Sequence, residues 1–174
     1  MALPREYDGE YCPIARSLEV IGERWTLLIL RDAFYGVTRF SDFRTHLGLP
    51  PAVLTERLKL LVEHGIMSTS LAASGRAEYA LTKKGEDLWP IVWSFISWGN
   101  KYYMDDGVPR RFYHADCGGR LDDSRMCDRC GQTLGPHDVE TRKRRLTSLP
   151  QRDDRVSMLL SKSHRLLDPL PGVV

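Results

Sequence analysis

The residues best suited to chemistry in this 174-residue chain are His114, Cys117, Cys127 and Cys130. They fall in the run RFYHADCGGRLDDSRMCDRCGQTLGP, residues 111–136, as two knuckles. Each knuckle sets two ligands three positions apart with glycine after them, so the backbone can turn and its amides can approach sulfur. One imidazole and three thiolates make a closed tetrahedral set for zinc, with no open position for a reacting water. The nine-residue gap between Cys117 and Cys127 suits a short hairpin, as in zinc ribbons. Few large apolar residues accompany it, so bound metal would supply folding free energy. The same spacing also fits a degenerate ribbon without metal, or thiols that oxidise to a bridge. Catalysis is not expected: no glutamate stands in the His-x-Glu arrangement of zinc deaminases. Neither a phosphate-cradling glycine loop nor a Ser/His/Asp set is present in the sequence.

Cys12 stands apart from that cluster. It precedes Pro13 at a predicted helix N-terminus, where the helix dipole can lower a thiol pKa. A small unreactive residue fits the same place. Four cysteines, unevenly placed, do not form a disulfide scaffold, and clustered thiols in a reducing compartment favour metal over bridges.

Composition is that of a globular protein, with 42% hydrophobic and 28% charged residues. No basic start leads into an apolar stretch, and the apolar run from Leu88 to Trp98 is too short to span a bilayer. A cytoplasmic protein with no membrane contact is expected. Net charge is +2 and unevenly shared: residues 1–105 hold 12 Lys/Arg and 13 Asp/Glu, the remainder 13 and 10. Any nucleic-acid affinity must therefore come from local placement of cations and not from a broad basic field.

The elements that would carry these groups are mainly helical. Ile14, Leu18 and Ile21 repeat at helical spacing before Gly22. A second helix spans about Arg24–Phe34 and a short third covers Phe40–Leu47. The run Gly48-Leu49-Pro50-Pro51 forces a turn. A fourth helix then starts at Pro51 and runs to Glu63, with Leu54, Leu58, Leu61 and Val62 on its core side. Two strand-like segments, Ile66–Leu71 and Glu78–Leu81, flank Ala73-Ser74-Gly75-Arg76 as a hairpin. Thr82 can cap a last helix over about Lys83–Met104, kinked or broken by Pro90. Helix, tight turn, helix and hairpin make a winged helix-turn-helix.

In such a fold the fourth helix presents its first turns to the major groove. Ala52, Val53 and the Thr55 methyl could meet thymine methyls, Glu56 could accept from cytosine, and Arg57 could reach guanine or phosphate. Pro51, Lys59, Arg39 and Ser41 complete the candidate face, with Lys59 suited to phosphate. Arg76 at the wing tip suits phosphate or the minor groove. A plain solvated helix face would carry similar residues; the turn before it and the hairpin after it favour DNA.

The stretches CPIARSLEVIGERWTLLILRDAFYG (12–36), RFSDFRTHLGLPPAVLTERLKLLVEHGIM (39–67) and YALTKKGEDLWPIVWSFISWG (79–99) resemble the HxlR family of winged-helix regulators, related to the MarR group. The resemblance implies a homodimer on palindromic promoter DNA, acting as repressor or activator. It also implies a cysteine near position 12 that some members use to sense oxidants or electrophiles, and it leaves room for a small-molecule effector. Where the family often has serine and lysine entering the recognition helix, this chain has Pro50 and Ala52.

The last helix is apolar on most sides, and Trp89, Trp93 and Ile96 are the expected dimer residues; packing against the C-terminal appendage is the competing use of that surface. The expected organisation is an α+β, mainly α chain. It has an arm at 1–11, a winged helix-turn-helix with a two-stranded wing at 12–105, a zinc-ribbon-like appendage at 111–136, and a basic, partly ordered tail at 137–174. Arg142-Lys143-Arg144-Arg145 is either a DNA arm or a solvated face. A rival use of a winged helix plus ribbon is contact with the transcription machinery instead of DNA.

Overall fold

Pro13 begins the first helix, α1 (Pro13–Ile21), because a proline at the first helical position gives up no hydrogen bond. The computed structural model describes residues 7, 9, 11–72, 75–105, 107–144 and 152–171. Most of the expected N-terminal arm, the tip residues Ala73 and Ser74, and Arg145 lie outside the described residues. In α1 only Ala15 and Ile21 are buried, while Ile14 and Leu18 point outward. The apolar spacing that marks the helix is thus divided between the core and the surface.

The core is built by α2 (Arg24–Phe34), α3 (Phe40–Leu47) and α4 (Pro51–Glu63). Ile29, Leu30, Phe34, Phe43, Leu54, Leu58 and Leu61 are fully buried, each side chain contributing about 1.5–3 kcal/mol. Leu49 is buried in the turn between α3 and α4, which fixes how α4 leaves α3. A polar bolt ties the second and third helices. The buried Asp32 carboxylate accepts from Arg31 Nη2 at 2.6 Å and lies 2.6 Å from His46 Nδ1.

The wing is an antiparallel pair, β1 (Met67–Leu71) and β2 (Ala77–Leu81), in register from Met67 opposite Leu81 to Leu71 opposite Ala77. It gains a third member beyond the expected two strands: Arg39 bridges Glu78, and Tyr79 N–H donates to Thr38 O at 2.8 Å. The wing is thereby tied to the start of α3.

The long helix expected over Lys83–Met104 is two helices, α5 (Lys83–Glu86) and α6 (Trp89–Tyr103). Thr82 caps α5 by accepting from Gly85 N, and Pro90 sits in the first turn of α6. The break therefore falls ahead of the proline, where its missing N–H costs nothing.

A second sheet follows the order β3 (Arg110–His114), β4 (Val139–Lys143), β5 (His164–Arg165). Phe112 of β3 closes an aromatic cluster on the winged helix, 5.0 Å from Trp93 and 6.3 Å from Trp89, with Phe34 5.2 Å from Trp89. Such pairs contribute about 0.5–1.5 kcal/mol each beyond area burial. Residues 152–171, within the span expected as a basic, partly ordered tail, form a docked strap. It contains α7 (Arg155–Leu159), pairs Arg155 with Asp42 of α3, and donates Leu167 N–H to Phe34 O and Leu170 N–H to Gly36 O, both at 2.8 Å. Val156, Leu160, Leu166 and Leu170 are buried by this docking. Among the described residues no helix is long and apolar enough to cross a membrane.

Candidate functional site

Three surfaces carry the residues singled out in the sequence. The first is the start of α4. Pro51, Ala52, Thr55, Glu56 and Lys59 are exposed there, Val53 is half-buried, and Lys59 pairs with Glu63 at 3.6 Å. Arg57 is a correction: it is buried, 5% exposed, with its Nη2 2.5 Å from Glu56 Oε1. It lies three residues after Leu54 and four before Leu61, so it belongs to the inward stripe despite its charge. Its Nε has no hydrogen-bond partner among the described residues. Arg57 holds Glu56 in place and does not itself face a groove.

Near α4, Ser41 is exposed at the start of α3, and Arg39 is half-buried with its Nε 3.3 Å from Glu78 Oε1. Arg76 is exposed at the hairpin end, where Ala72 N–H donates to its carbonyl at 2.9 Å. The described residues Arg142, Lys143 and Arg144 are also exposed, on and just after β4. The Asp32–His46 bolt was not foreseen, because a lone aspartate in an apolar helix gives no hint of its partner in the next helix.

The second surface is α6, and it corrects the expected dimer residues. Trp89 and Trp93 are 1% and 5% exposed within a single chain, engaged with Phe34 and Phe112. Ile96 is half-buried. The outward face is instead Ile91, Phe95, Trp98 and Tyr102, with Phe95 58% and Trp98 53% exposed. A groove of about 410 Å³ runs between α2 and α6, lined by Leu27, Leu28, Val92, Phe95 and Ile96 together with Arg24 and Arg31. The competing use of the α6 surface thus takes one face and leaves the other.

The third surface is the cysteine cluster, which the fold assembles as the spacing implies. The ligand atoms of His114, Cys117, Cys127 and Cys130 all lie within 4.8 Å of one another, so the group could hold a metal ion. His114 Nδ1 is 3.2 Å from Cys117 Sγ and 3.3 Å from Cys130 Sγ, and the Cys117 and Cys127 sulfurs are 3.4 Å apart. Tetrahedral zinc with Zn–S near 2.3 Å would set sulfurs about 3.8 Å apart, so the set needs only slight expansion. No disulfide links these cysteines.

The knuckles are tight turns. Gly118 N–H donates to His114 O and Gly131 N–H to Cys127 O, and both glycines are left-handed, φ +70° and +73°. A Cβ on Gly119 would stand 2.4 Å from Cys127 Sγ, so backbone approaches the ligand where only glycine fits. Burial raises the Cys127 thiol pKa, but the N–H groups of Cys130 and Arg129, with Cys117 and His114, outweigh this and bring it to about 6. At Cys117 the Gly119 N–H favours the thiolate, yet burial and the two neighbouring sulfurs push the pKa up. Asp116, unremarked in the sequence, has Oδ2 3.7 Å from His114 Nε2, on the side away from the sulfurs. A carboxylate there favours the tautomer that leaves Nδ1 free to ligate.

Cys12 is the N-cap residue of α1 and half-buried. No hydrogen bond from its sulfur caps the helix, but the amides of Ala15 and Ile14 lower its thiol pKa.

These surfaces sit on a chain whose residues 20–107 match the model of the HxlR-like helix-turn-helix family. An HTH-type transcriptional regulator of Mycobacterium tuberculosis is 39% identical over 140 residues, covering 79% of this chain and 87% of that protein. The chain belongs to the HxlR-like helix-turn-helix family. YdeP of Bacillus subtilis, also described as an HTH-type transcriptional regulator, is 31% identical over 98 residues, 55% of this chain and 77% of that one. The crystal structure of PA1607, a candidate transcription factor, aligns with TM-score 0.62 and 40% identity over 75% of this chain and 93% of that chain. HxlR-like membership makes this chain a transcriptional regulator, a class that is not enzymatic. The mycobacterial match is longer than the family segment and all residues before it combined, so the likeness extends into the C-terminal appendage.

Proposed function

We propose that this regulator binds promoter DNA in the cytoplasm as a homodimer on a palindromic site, with a structural zinc in the appendage. The observation that carries the DNA reading is the exposed start of α4, where Ala52, Thr55, Glu56 and Lys59 face outward with Val53 at the flank. The exposed Arg76 of the wing and Ser41 of α3 supply phosphate contacts around it. The apolar outward face of α6, with Ile14 and Leu18 of α1, supports the second copy. Unpartnered apolar surface of this kind favours association, and paired half-sites require paired recognition helices about 34 Å apart. The His/Cys₃ donor set supports zinc over harder metals, because thiolates and imidazole match its softness.

Selection of bound duplexes from a random pool tests this reading. A palindromic consensus with half-sites one helical turn apart is the expected result. Enrichment of no sequence, together with capture of transcription machinery, would replace DNA readout by protein contact.

A further inference from the structure

The indole of Trp93 joins the two halves of the molecule. Its N–H donates to the carbonyls of Asp122 and Asp123 at 3.2 and 3.1 Å, and one turn later the Ser97 hydroxyl donates to the Asp123 carboxylate. Asp122 and Asp123 belong to the hairpin between Cys117 and Cys127. The Asp122 carboxylate shapes that hairpin by accepting from Ser124 N–H at 2.8 Å and Met126 N–H at 2.9 Å. Between Ala115 and Thr133 the only buried side chain is that of Cys127. These hydrogen bonds join the hairpin to α6, and the shape that lets it offer those carbonyls depends on the ligand cluster. On its other side α6 exposes Phe95 and Trp98.

We propose that Cys117, Cys127 and Cys130 form an oxidation site for hydroperoxides, and that its state is passed through the Asp122–Asp123 hairpin to α6 and so to DNA binding. The inference rests on the DNA-binding reading above. Cys130 is the exposed sulfur and meets the oxidant first. Its thiolate attacks the terminal peroxide oxygen and the O–O bond breaks, leaving a sulfenic acid and hydroxide from hydrogen peroxide, or alkoxide from an organic hydroperoxide. The thiolate of Cys117 or Cys127 then attacks the Cys130 sulfur, forms the S–S bond and expels hydroxide. Two electrons pass from two sulfurs to one peroxide. A disulfide needs sulfurs about 2.05 Å apart, and the ligand atoms already lie within 4.8 Å. The disulfide consumes two of the four donors, so a metal held there would lose two ligands, and the hairpin no longer presents its carbonyls to Trp93.

The test uses the full chain carrying Cys12→Ser, which removes the competing thiol. Zinc is measured by elemental analysis, then hydrogen peroxide is added. Zinc release, disulfide mapping by mass spectrometry, and affinity for the selected duplex are followed together. The expected result is loss of zinc with a disulfide that includes Cys130. Affinity should fall about tenfold and recover on reduction with added zinc. With Trp93→Phe and Ser97→Ala combined, zinc should leave equally fast while affinity changes much less. Should Trp93→Phe fail to fold, Ser97→Ala alone should still blunt the fall. Amide exchange across Trp89–Tyr103, faster after oxidation, reads the same switch without DNA. A disulfide that changes neither affinity nor exchange overturns the proposal, as does resistance of the thiols to excess peroxide. Protein that binds no zinc but still switches on disulfide formation would overturn the metal reading and leave this one standing.

Discussion

The winged helix and the cysteine hairpin are held together by different physics. Between Ile29 and Leu61, α2, α3 and α4 bury a continuous set of aliphatic and aromatic side chains, among them Phe34, Phe43, Leu54 and Leu58. Between Ala115 and Thr133 only the Cys127 side chain is buried, and the backbone is arranged by turns around four ligands. The first region is stable through area removed from water; the second depends on what its donors bind. Trp93 is the seam, in contact with Phe112 on one side and hydrogen-bonded to the hairpin on the other. A regulator made this way can keep its DNA-reading surface rigid while a neighbouring element responds to chemistry.

The largest effect expected on this contrast comes from Cys127→Ser. Structural zinc in zinc-finger peptides has an apparent binding free energy of about 10–16 kcal/mol at neutral pH. The variant should lose metal and amide-exchange protection over residues 112–134, yet keep most of its helical circular dichroism. Loss of the helical signal as well would mean that the two regions are not separable.

Trp93→Ala strikes the seam and should cost about 3–5 kcal/mol, read by urea denaturation. It should weaken both regions, in contrast to Cys127→Ser. Phe95→Glu is different again, because Phe95 is already exposed. Its effect on the stability of one chain should be within about 0.5 kcal/mol. Self-association should nevertheless weaken by about 2 kcal/mol or more if the outward face of α6 is the dimer centre. Sedimentation at several concentrations separates the two quantities, and an unchanged dimer would move the interface elsewhere. The smallest effect is expected from Arg76→Ala. It should weaken binding about equally to all sequences and reduce the salt slope by about one; unchanged affinity and slope would remove the wing from the interface.

Much of this was legible in the sequence, and the exceptions share a cause. The turn at Gly48–Pro51, the Thr82 cap and the His114/Cys117/Cys127/Cys130 cluster each follow from local rules, since backbone angle or ligand spacing is set by a few adjacent residues. The charge of Arg57 points to a groove contact, but its spacing from Leu54 and Leu61 sets it inward. For the tryptophans of α6 the sequence leaves a partner and the C-terminal appendage both open, because helical periodicity gives the width of an apolar stripe, not its occupant. Only the pairing of β3 with β4 brings Phe112 onto Trp93. The extent of the strap at 152–171 is not legible for a similar reason: its buried leucines are few, and its hold on the winged helix runs through backbone N–H groups and the Arg155–Asp42 pair.

The most direct measurement is amide hydrogen exchange of the zinc-loaded protein with and without its selected duplex. Protection on binding DNA is expected over the start of α3, the first turns of α4 and the described part of the wing around Arg76. Little change is expected between His114 and Thr133. Protection confined to the cysteine hairpin, with α4 exchanging as in the free protein, would contradict the assignment of DNA reading to the winged helix.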